Sequence, residues 1–306
     1  MGKRQKKVNW KSYNKELVKR GSISLWVDQK ALDHWFSHQS GPGFQKIYSD
    51  LTIELLLILR HRFSLTLRET QGFASSLLEL MGLFWPGPNY STLSRRAKSL
   101  EVQIRKKSST KRSIHAVIDS TGLKVFGEGE WKVRQHGYSK RRTWRKLHLC
   151  IDEETNEIMS SVLTENSFKD NEVFEDLIDA AEADIYQASG DGAYDARNCW
   201  EYCDKRNIQG VFPPRVNAKI QVHGNSKAPP GSRDQHLRQI RELGKPIWKA
   251  MSGYSRRSLS ETAMYRFKAL FGDKLSSRNF NNQSTEAFIK CKILNLMQTP
   301  ANLWKN

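Results

Sequence analysis

Residues 113–127 read SIHAVIDSTGLKVFG, with Ile114, Ala116 and Ile118 on one face of an extended chain that delivers Asp119 at its end. Upstream of Lys111 the apolar residues recur at helical spacing, and here the period falls to two, so a sheet begins. Residues 146–152, KLHLCID, alternate in the same way, with Leu147, Leu149 and Ile151 set against Lys146, His148 and Cys150. A turn over 153–156 follows, and residues 157–166, EIMSSVLTEN, return as a third strand, which predicts an antiparallel meander. Residues 170–184, DNEVFEDLIDAAEAD, carry a helical stripe of Val173, Phe174, Leu177, Ile178 and Ala181. A fourth strand, IYQASGDGAYD over 185–195, ends in Asp191; a helix over about 196–206 leads to the short strand 208–212.

The order βββαβαβ is that of the ribonuclease H-like fold, an α/β sandwich whose catalytic carboxylates sit at the ends of the first and fourth strands, the two places held by Asp119 and Asp191. That step is fold analogy and raises a prior for the site. Residues 254–270, YSRRSLSETAMYRFKAL, offer a third acid. At roughly 100° per residue, Tyr254, Arg257, Glu261 and Lys268 fall within a wedge of about 60°, with Leu259, Ala263, Phe267 and Leu270 on or near the opposite face. A carboxylate flanked by cations and an aromatic suits metal-assisted phosphodiester chemistry. A solvated face with Arg257–Glu261 pairing at i, i+4 is the plainer reading of this helix alone.

Charge narrows the choice of partner. The 306 residues carry 50 Lys+Arg against 32 Asp+Glu, a formal net charge of +18, and a polyanion, above all nucleic acid, is the expected ligand. Residues 1–20 hold Lys3, Arg4, Lys6, Lys7, Lys11, Lys15, Lys19 and Arg20 against Glu16, which predicts a flexible basic arm. Residues 131–146, WKVRQHGYSKRRTWRK, contain no acid and interleave Trp131, Tyr138 and Trp144 with Arg141, Arg142 and Arg145, a pattern suited to phosphate contacts and base stacking. In residues 21–110 the reading is helical: a buried helix from Leu51 to Arg60, a second opened by a Thr66/Glu69 capping box, a Gly/Pro break over 82–88, and a basic helix STLSRRAKSL over 91–100. Helix, break and basic helix make a helix-turn-helix-like segment in which Ser94, Arg95, Arg96 and Lys98 are the expected DNA contacts, or, since the break is longer than the usual three or four residues, an ordinary helical subdomain. The apolar run from Leu51 is interrupted by Glu54 and too short to span a bilayer. No signal peptide opens the chain, and Cys150, Cys199, Cys203 and Cys291 lack paired zinc spacing, so a cytoplasmic protein with reduced thiols and no membrane partner is expected.

With these residues in place the chain resembles the DDE transposases of bacterial insertion sequences, and most closely those of the insertion-sequence-five family. The resemblance runs through LTLRETQGFASSLLELMG and PNYSTLSRRAKSL, then IDSTGLKV, LHLCID and GDGAYD, and ends on Tyr254-x2-Arg257-x3-Glu261-x6-Lys268, which matches the family signature at all its fixed positions. It implies an all-α DNA-binding domain over 21–110 and a ribonuclease H-like catalytic domain, βββαβαβα, over 111–306, with a modest insertion at about 213–249. It implies Asp119, Asp191 and Glu261 as catalytic and metal-binding triad, with Tyr254, Arg257 and Lys268 holding the transposon end. Two Mg²⁺ ions, replaceable by Mn²⁺, would serve the two displacements at phosphorus: water attack at the transposon end, then attack of the freed 3′-hydroxyl on target DNA. Partners implied are double-stranded DNA, as terminal inverted repeats and target, and further copies of the chain in a dimer or larger synaptic assembly.

Other readings of the same residues compete. A sequence-specific DNA-binding regulator would use the basic helix but has no need of the three acids, and a ribonuclease H-like nuclease that hydrolyses without joining would share the site. Asp195 and Glu128 rival the triad as ligands, and Asp119 and Asp191 also suit turns. His115, His136 and His148 are read as hydrogen-bonding residues and assigned no metal. Trp248 is a candidate for stacking on a displaced base. Phe288, Ile289, Ile293, Leu294 and Leu296 mark a C-terminal helix for core packing or dimerisation.

Overall fold

The computed structural model describes residues 9–37, 48–105, 112–125, 144–215, 217–222 and 229–298. They fall into two compact units: the described residues up to Ile104 with Val125 and those from Lys274 onward, and the described residues of Arg105–Lys124 with those between Glu128 and Asp273.

The first unit is helical. Helix α1 (Trp10–Lys19) opens on Asn9, whose side chain accepts a hydrogen bond from the Ser12 amide at 3.2 Å, and none of its residues is buried. The arm expected over residues 1–20 is therefore helical from Trp10 onward, supported by that cap and by the edge-on Trp10–Tyr13 ring pair one turn apart. Two short helices, α2 (Ile23–Trp26) and α3 (Gln29–Asp33), precede α4 (Asp50–Arg62), α5 (Leu67–Leu80) and α6 (Tyr90–Ala97). Helix α4 is apolar around most of its circumference because it is the core helix of the unit: Ile53, Leu56, Leu57 and Leu59 are all buried. Asp50 in its first turn and Arg60 and Arg62 in its last oppose the helix dipole favourably. The capping box opening α5 is present, with the Thr66 amide donating to Glu69 at 2.6 Å and the Glu69 amide to Thr66 Oγ1 at 3.3 Å. The break between α5 and α6 is pinned by Trp35 Nε1 donating to the Pro86 carbonyl and the Tyr48 hydroxyl to that of Gly87.

The second unit is built on a sheet running β3-β2-β1-β4-β5, with β1 (Ile114–Val125), β2 (Trp144–Asp152), β3 (Ile158–Glu165), β4 (Ile185–Ser189) and β5 (Gln209–Val211). Pairs β1/β2 and β2/β3 are antiparallel, and β1/β4 and β4/β5 are parallel, so the sheet is mixed. The meander, the crossover through α7 (Phe174–Asp179) and the crossover through α8 (Arg197–Lys205) follow the expected order, giving a mixed α/β unit consistent with the ribonuclease H-like fold. One face of β1, Ile114, Ala116 and Ile118, packs with Cys150 against Phe174, Leu177 and Ile178 of α7, Trp200 and Cys203 of α8, and Phe212. The strand expected to stop at Asp119 continues six residues to Val125, because β2 pairs with it from Ala116 to Lys124. The segment expected as an insertion holds α9 (Ser232–Leu243) and α10 (Lys245–Met251), and a 3₁₀ turn (Tyr254–Arg257) then leads into α11 (Ser258–Phe271).

The last helix, α12 (Phe280–Leu296), packs on α4 and α6 with Ile289, Ile293 and Leu294 buried, and Thr285 donates to the Ala97 carbonyl at 2.7 Å. Its stripe is thus core packing, and it closes the helical unit, whereas the sequence had placed it with the strands. Buried Glu286 pairs with Lys290 at 2.8 Å and accepts from the Ser276 and Ser277 amides. The four cysteines are buried free thiols. No helix among the described residues is long and apolar enough to cross a membrane.

Candidate active site

Parallel pairing of β1 with β4 aligns the two strand carboxylates. Val117 lies opposite Ser189, and two residues further along each chain stand Asp119 and Asp191. The chain leaves β4 through Gly190, and Asp191 caps a 3₁₀ turn (Gly192–Tyr194) by accepting from the Ala193 amide at 2.9 Å. Its turn role, one of the readings of the sequence, and its place beside Asp119 are therefore the same fact. Burial raises the Asp119 carboxyl above its ordinary range and the charge of Asp191 adds to this, opposed by the Ser120 amide, the Ser260 hydroxyl and Arg257.

The third acid arrives on α11. Ser252 is anchored by Gln187 of β4, whose Nε2 donates to the Ser252 carbonyl at 3.0 Å, and Gly253 (φ 69°) turns the chain into the 3₁₀ turn through a left-handed conformation that glycine adopts without a Cβ penalty. The run from Tyr254 thus starts as a 3₁₀ turn and becomes α-helical at Ser258, and its signature face meets the strands through Arg257. Arg257 Nη1 lies 3.2 Å from Asp119 Oδ2 and Nη2 lies 2.5 Å from Glu261 Oε1. The i, i+4 pair expected of a plain solvated helix is present, and the same guanidinium also spans to the strand carboxylate. Arg257 thus stands between Asp119 and Glu261, and among the described residues no group of three or more His, Cys, Asp or Glu side chains is arranged to hold a metal ion.

Tyr254 packs its ring on Trp248 at 5.8 Å between centroids, with Lys249 Nζ 5.4 Å from the ring centre. Burial raises its hydroxyl pKa, an effect the nearby Arg257 charge opposes. Lys268 is half-buried two turns beyond Glu261 on α11. Ser260, which the sequence reading passed over, is fully buried and places its hydroxyl 2.9 Å from Asp119 Oδ2. At roughly 100° per residue it lies about 60° from Arg257 on the way to the apolar face, so periodicity gave it to neither side.

Asp195 is no rival ligand: its side chain is buried and accepts from Trp200 Nε1, the Arg215 amide and Arg233, a structural anchor with its oxygens occupied. Trp248 is 1% exposed and donates to His236 Nδ1 at 2.7 Å, so it offers no ring face to a displaced base. His115 bonds Ser189 at 2.7 Å and His148 bonds Thr164 at 3.0 Å, as read from the sequence. Of the expected DNA contacts, Arg95 and Lys98 are exposed on or just after α6, and Ser94 is half-buried. Arg96 is turned inward, donating to the Tyr48 carbonyl at 2.8 Å and pairing with Asp50, and Arg145 lies on β2 within 3.7 Å of Glu165. Arg141, Arg142, Glu128 and His136 lie outside the described residues.

Comparison with protein families gives two matches. Residues 110–296 match a family model described as a transposase DDE domain, and residues 18–128 match a second model of the same description.

Proposed function

Since the chain belongs to the transposase DDE-domain family, and is accordingly a DNA-binding, metal-dependent enzyme of DNA cleavage and transposition, we propose that Asp119, Asp191 and Glu261 form its catalytic triad. The observation that carries this reading is the alignment of Asp119 with Asp191 across the β1/β4 pair, with Arg257 joining Asp119 to Glu261. Members of the family use divalent metal ions. The donor set fits one: three carboxylates, with no thiol or imidazole among them, suit a hard cation such as Mg²⁺, with Mn²⁺ as substitute. Asp119 and Asp191 would hold it from the strands, and Glu261, whose side chain is 60% exposed, has room to turn toward them from α11. Cations held there would supply activation of the attacking oxygen and relief of charge on the leaving one.

Arg257 and Tyr254 then act on the DNA. Arg257 pairs with Asp119 and Glu261 in the free protein, and its fork is suited to a terminal phosphate. Tyr254 is steadied for such a contact by Trp248, and Lys268 adds charge along the same helix. We read the substrate as the terminal inverted repeats of an insertion sequence of the insertion-sequence-five type, cut at the 3′ ends and joined to target DNA within a dimeric or larger assembly. Exposed Arg95 and Lys98 on the helical unit supply contacts to the repeat.

The test is cleavage of DNA carrying the cognate ends. Asp119→Asn, Asp191→Asn and Glu261→Gln should each abolish Mg²⁺-dependent nicking while end binding in a gel assay persists. Robust nicking by any one of the purified variants refutes the triad. Incubating a precleaved end with target DNA separates joining from hydrolysis: strand-transfer product is expected, and hydrolysis alone would make the protein a nuclease.

A further inference from the structure

We infer that Ser260 is a positioning residue for the reaction, one that aims Asp119 and keeps its own buried hydroxyl satisfied in both states of that carboxylate. The inference rests on the assignment of Asp119 as a metal ligand. Ser260 is fully buried, and its Oγ lies 2.9 Å from Asp119 Oδ2 and 2.7 Å from the Arg257 carbonyl. A hydroxyl has one hydrogen to give, so these are alternative acceptors. In the free protein the charged carboxylate is the stronger of the two. Asp119 then takes the Ser120 amide on Oδ1 at 2.9 Å, and Ser260 and Arg257 on Oδ2, and these three donors fix the plane of the carboxylate.

Were the Asp119 carboxylate to turn its charge to a cation, the Ser260 hydrogen would have the Arg257 carbonyl already within reach. No buried donor is orphaned by the exchange, which would otherwise cost about 1–3 kcal/mol. Residues that orient a metal ligand typically cost about 10–100-fold in metal affinity or activity when replaced. Ser260 occupies that position relative to Asp119 although it is no part of the tyrosine–arginine–glutamate–lysine spacing.

The experiment compares Ser260→Thr with Ser260→Val, which add the same bulk and differ in the hydroxyl alone. A helical threonine can also direct its Oγ1 to the carbonyl three or four residues back, the second acceptor seen here. The measurement is direct Mn²⁺ binding by electron paramagnetic resonance, on the full chain complexed with its end DNA, with thermal melting of both variants and Asp119→Asn alongside. The expected result is Mn²⁺ affinity within about threefold of the parent for Ser260→Thr and weakened about tenfold or more for Ser260→Val, at equal melting temperatures. Equal Mn²⁺ affinity in the two variants, with Asp119→Asn deficient, overturns the role of Ser260 and leaves the triad standing. Parental Mn²⁺ affinity in Asp119→Asn overturns the triad assignment and this inference with it.

Discussion

Gly190 decides where Asp191 goes. A Cβ at this position would lie 2.5 Å from Tyr194 Cδ2 and 2.9 Å from its Cγ, closer than carbon atoms approach. The ring cannot retreat, because Tyr194 is 1% exposed and packs at about 6 Å between centroids against Phe174 and Phe212. Gly190→Ala must therefore move the turn that presents Asp191, at a cost of about 1–3 kcal/mol from overpacking. The expected outcome is a lower midpoint in urea together with loss of Mg²⁺-dependent cleavage. Gly192 is the control: a Cβ there meets only the Pro213 carbonyl at 3.5 Å, an ordinary contact. Gly192→Ala should keep both stability and cleavage, and equal damage from the two substitutions would show that close approach is not what the first glycine provides.

At the scale of elements, what was legible in the sequence was what local chemistry fixes. The capping box at Thr66 is one such case, since both its bonds join residues three apart. Thr66→Ala should destabilise the helical unit by about 1 kcal/mol, read as a shift in urea midpoint with unchanged slope. Glu69→Gln, which still accepts from the Thr66 amide, should cost less, and the reverse ranking would deny the hydroxyl its role as cap. Strand order and the helices between strands were legible for a similar reason, because the change from period 3.6 to period 2 is a property of neighbours. Less legible was whatever depends on partners distant in the chain. The end of β1 is set by its pairing with β2, so Asp119 stands within a strand where alternation alone had put it at a terminus. The stripe of α12 announced burial but not against what, and α4 and α6 supply the answer. At the proposed site, two acids are read from strand ends and the third from spacing, but the contacts of the Arg257 guanidinium and the Ser260 hydroxyl with Asp119 form only once α11 meets the sheet.

For the whole molecule, buried histidines make stability depend on pH in a defined window. His115 and His148 are buried in the sheet unit, at 6% and 0% exposure, and burial lowers each pKa from 6.5 to about 4. In the unfolded chain both titrate near their ordinary value, about 6.5. Between that pH and about 4 the unfolded chain therefore binds protons that the folded one refuses, and stability falls as pH falls. Above the unfolded value the folded state loses nothing to these groups; below the folded value both states are protonated and the effect stops growing. Each histidine contributes a slope of at most about 1.4 kcal/mol per pH unit inside the window. Carboxylates held low in the folded state, such as Asp195 beside Arg233, lose their contribution only at more acid pH, so the histidine slope is separable from theirs. Urea midpoints should be steady from pH 8 to 7 and drop progressively from 6.5 to 4.5. Working in salt of about 0.3 M shortens the screening length and mutes the general repulsion of a chain carrying +18. His148→Gln keeps a hydrogen-bonding group for Thr164 and removes one titration, so its profile should be flatter than the parent's by about that single-histidine slope. A variant profile parallel to the parent's throughout would place the acid sensitivity elsewhere in the molecule.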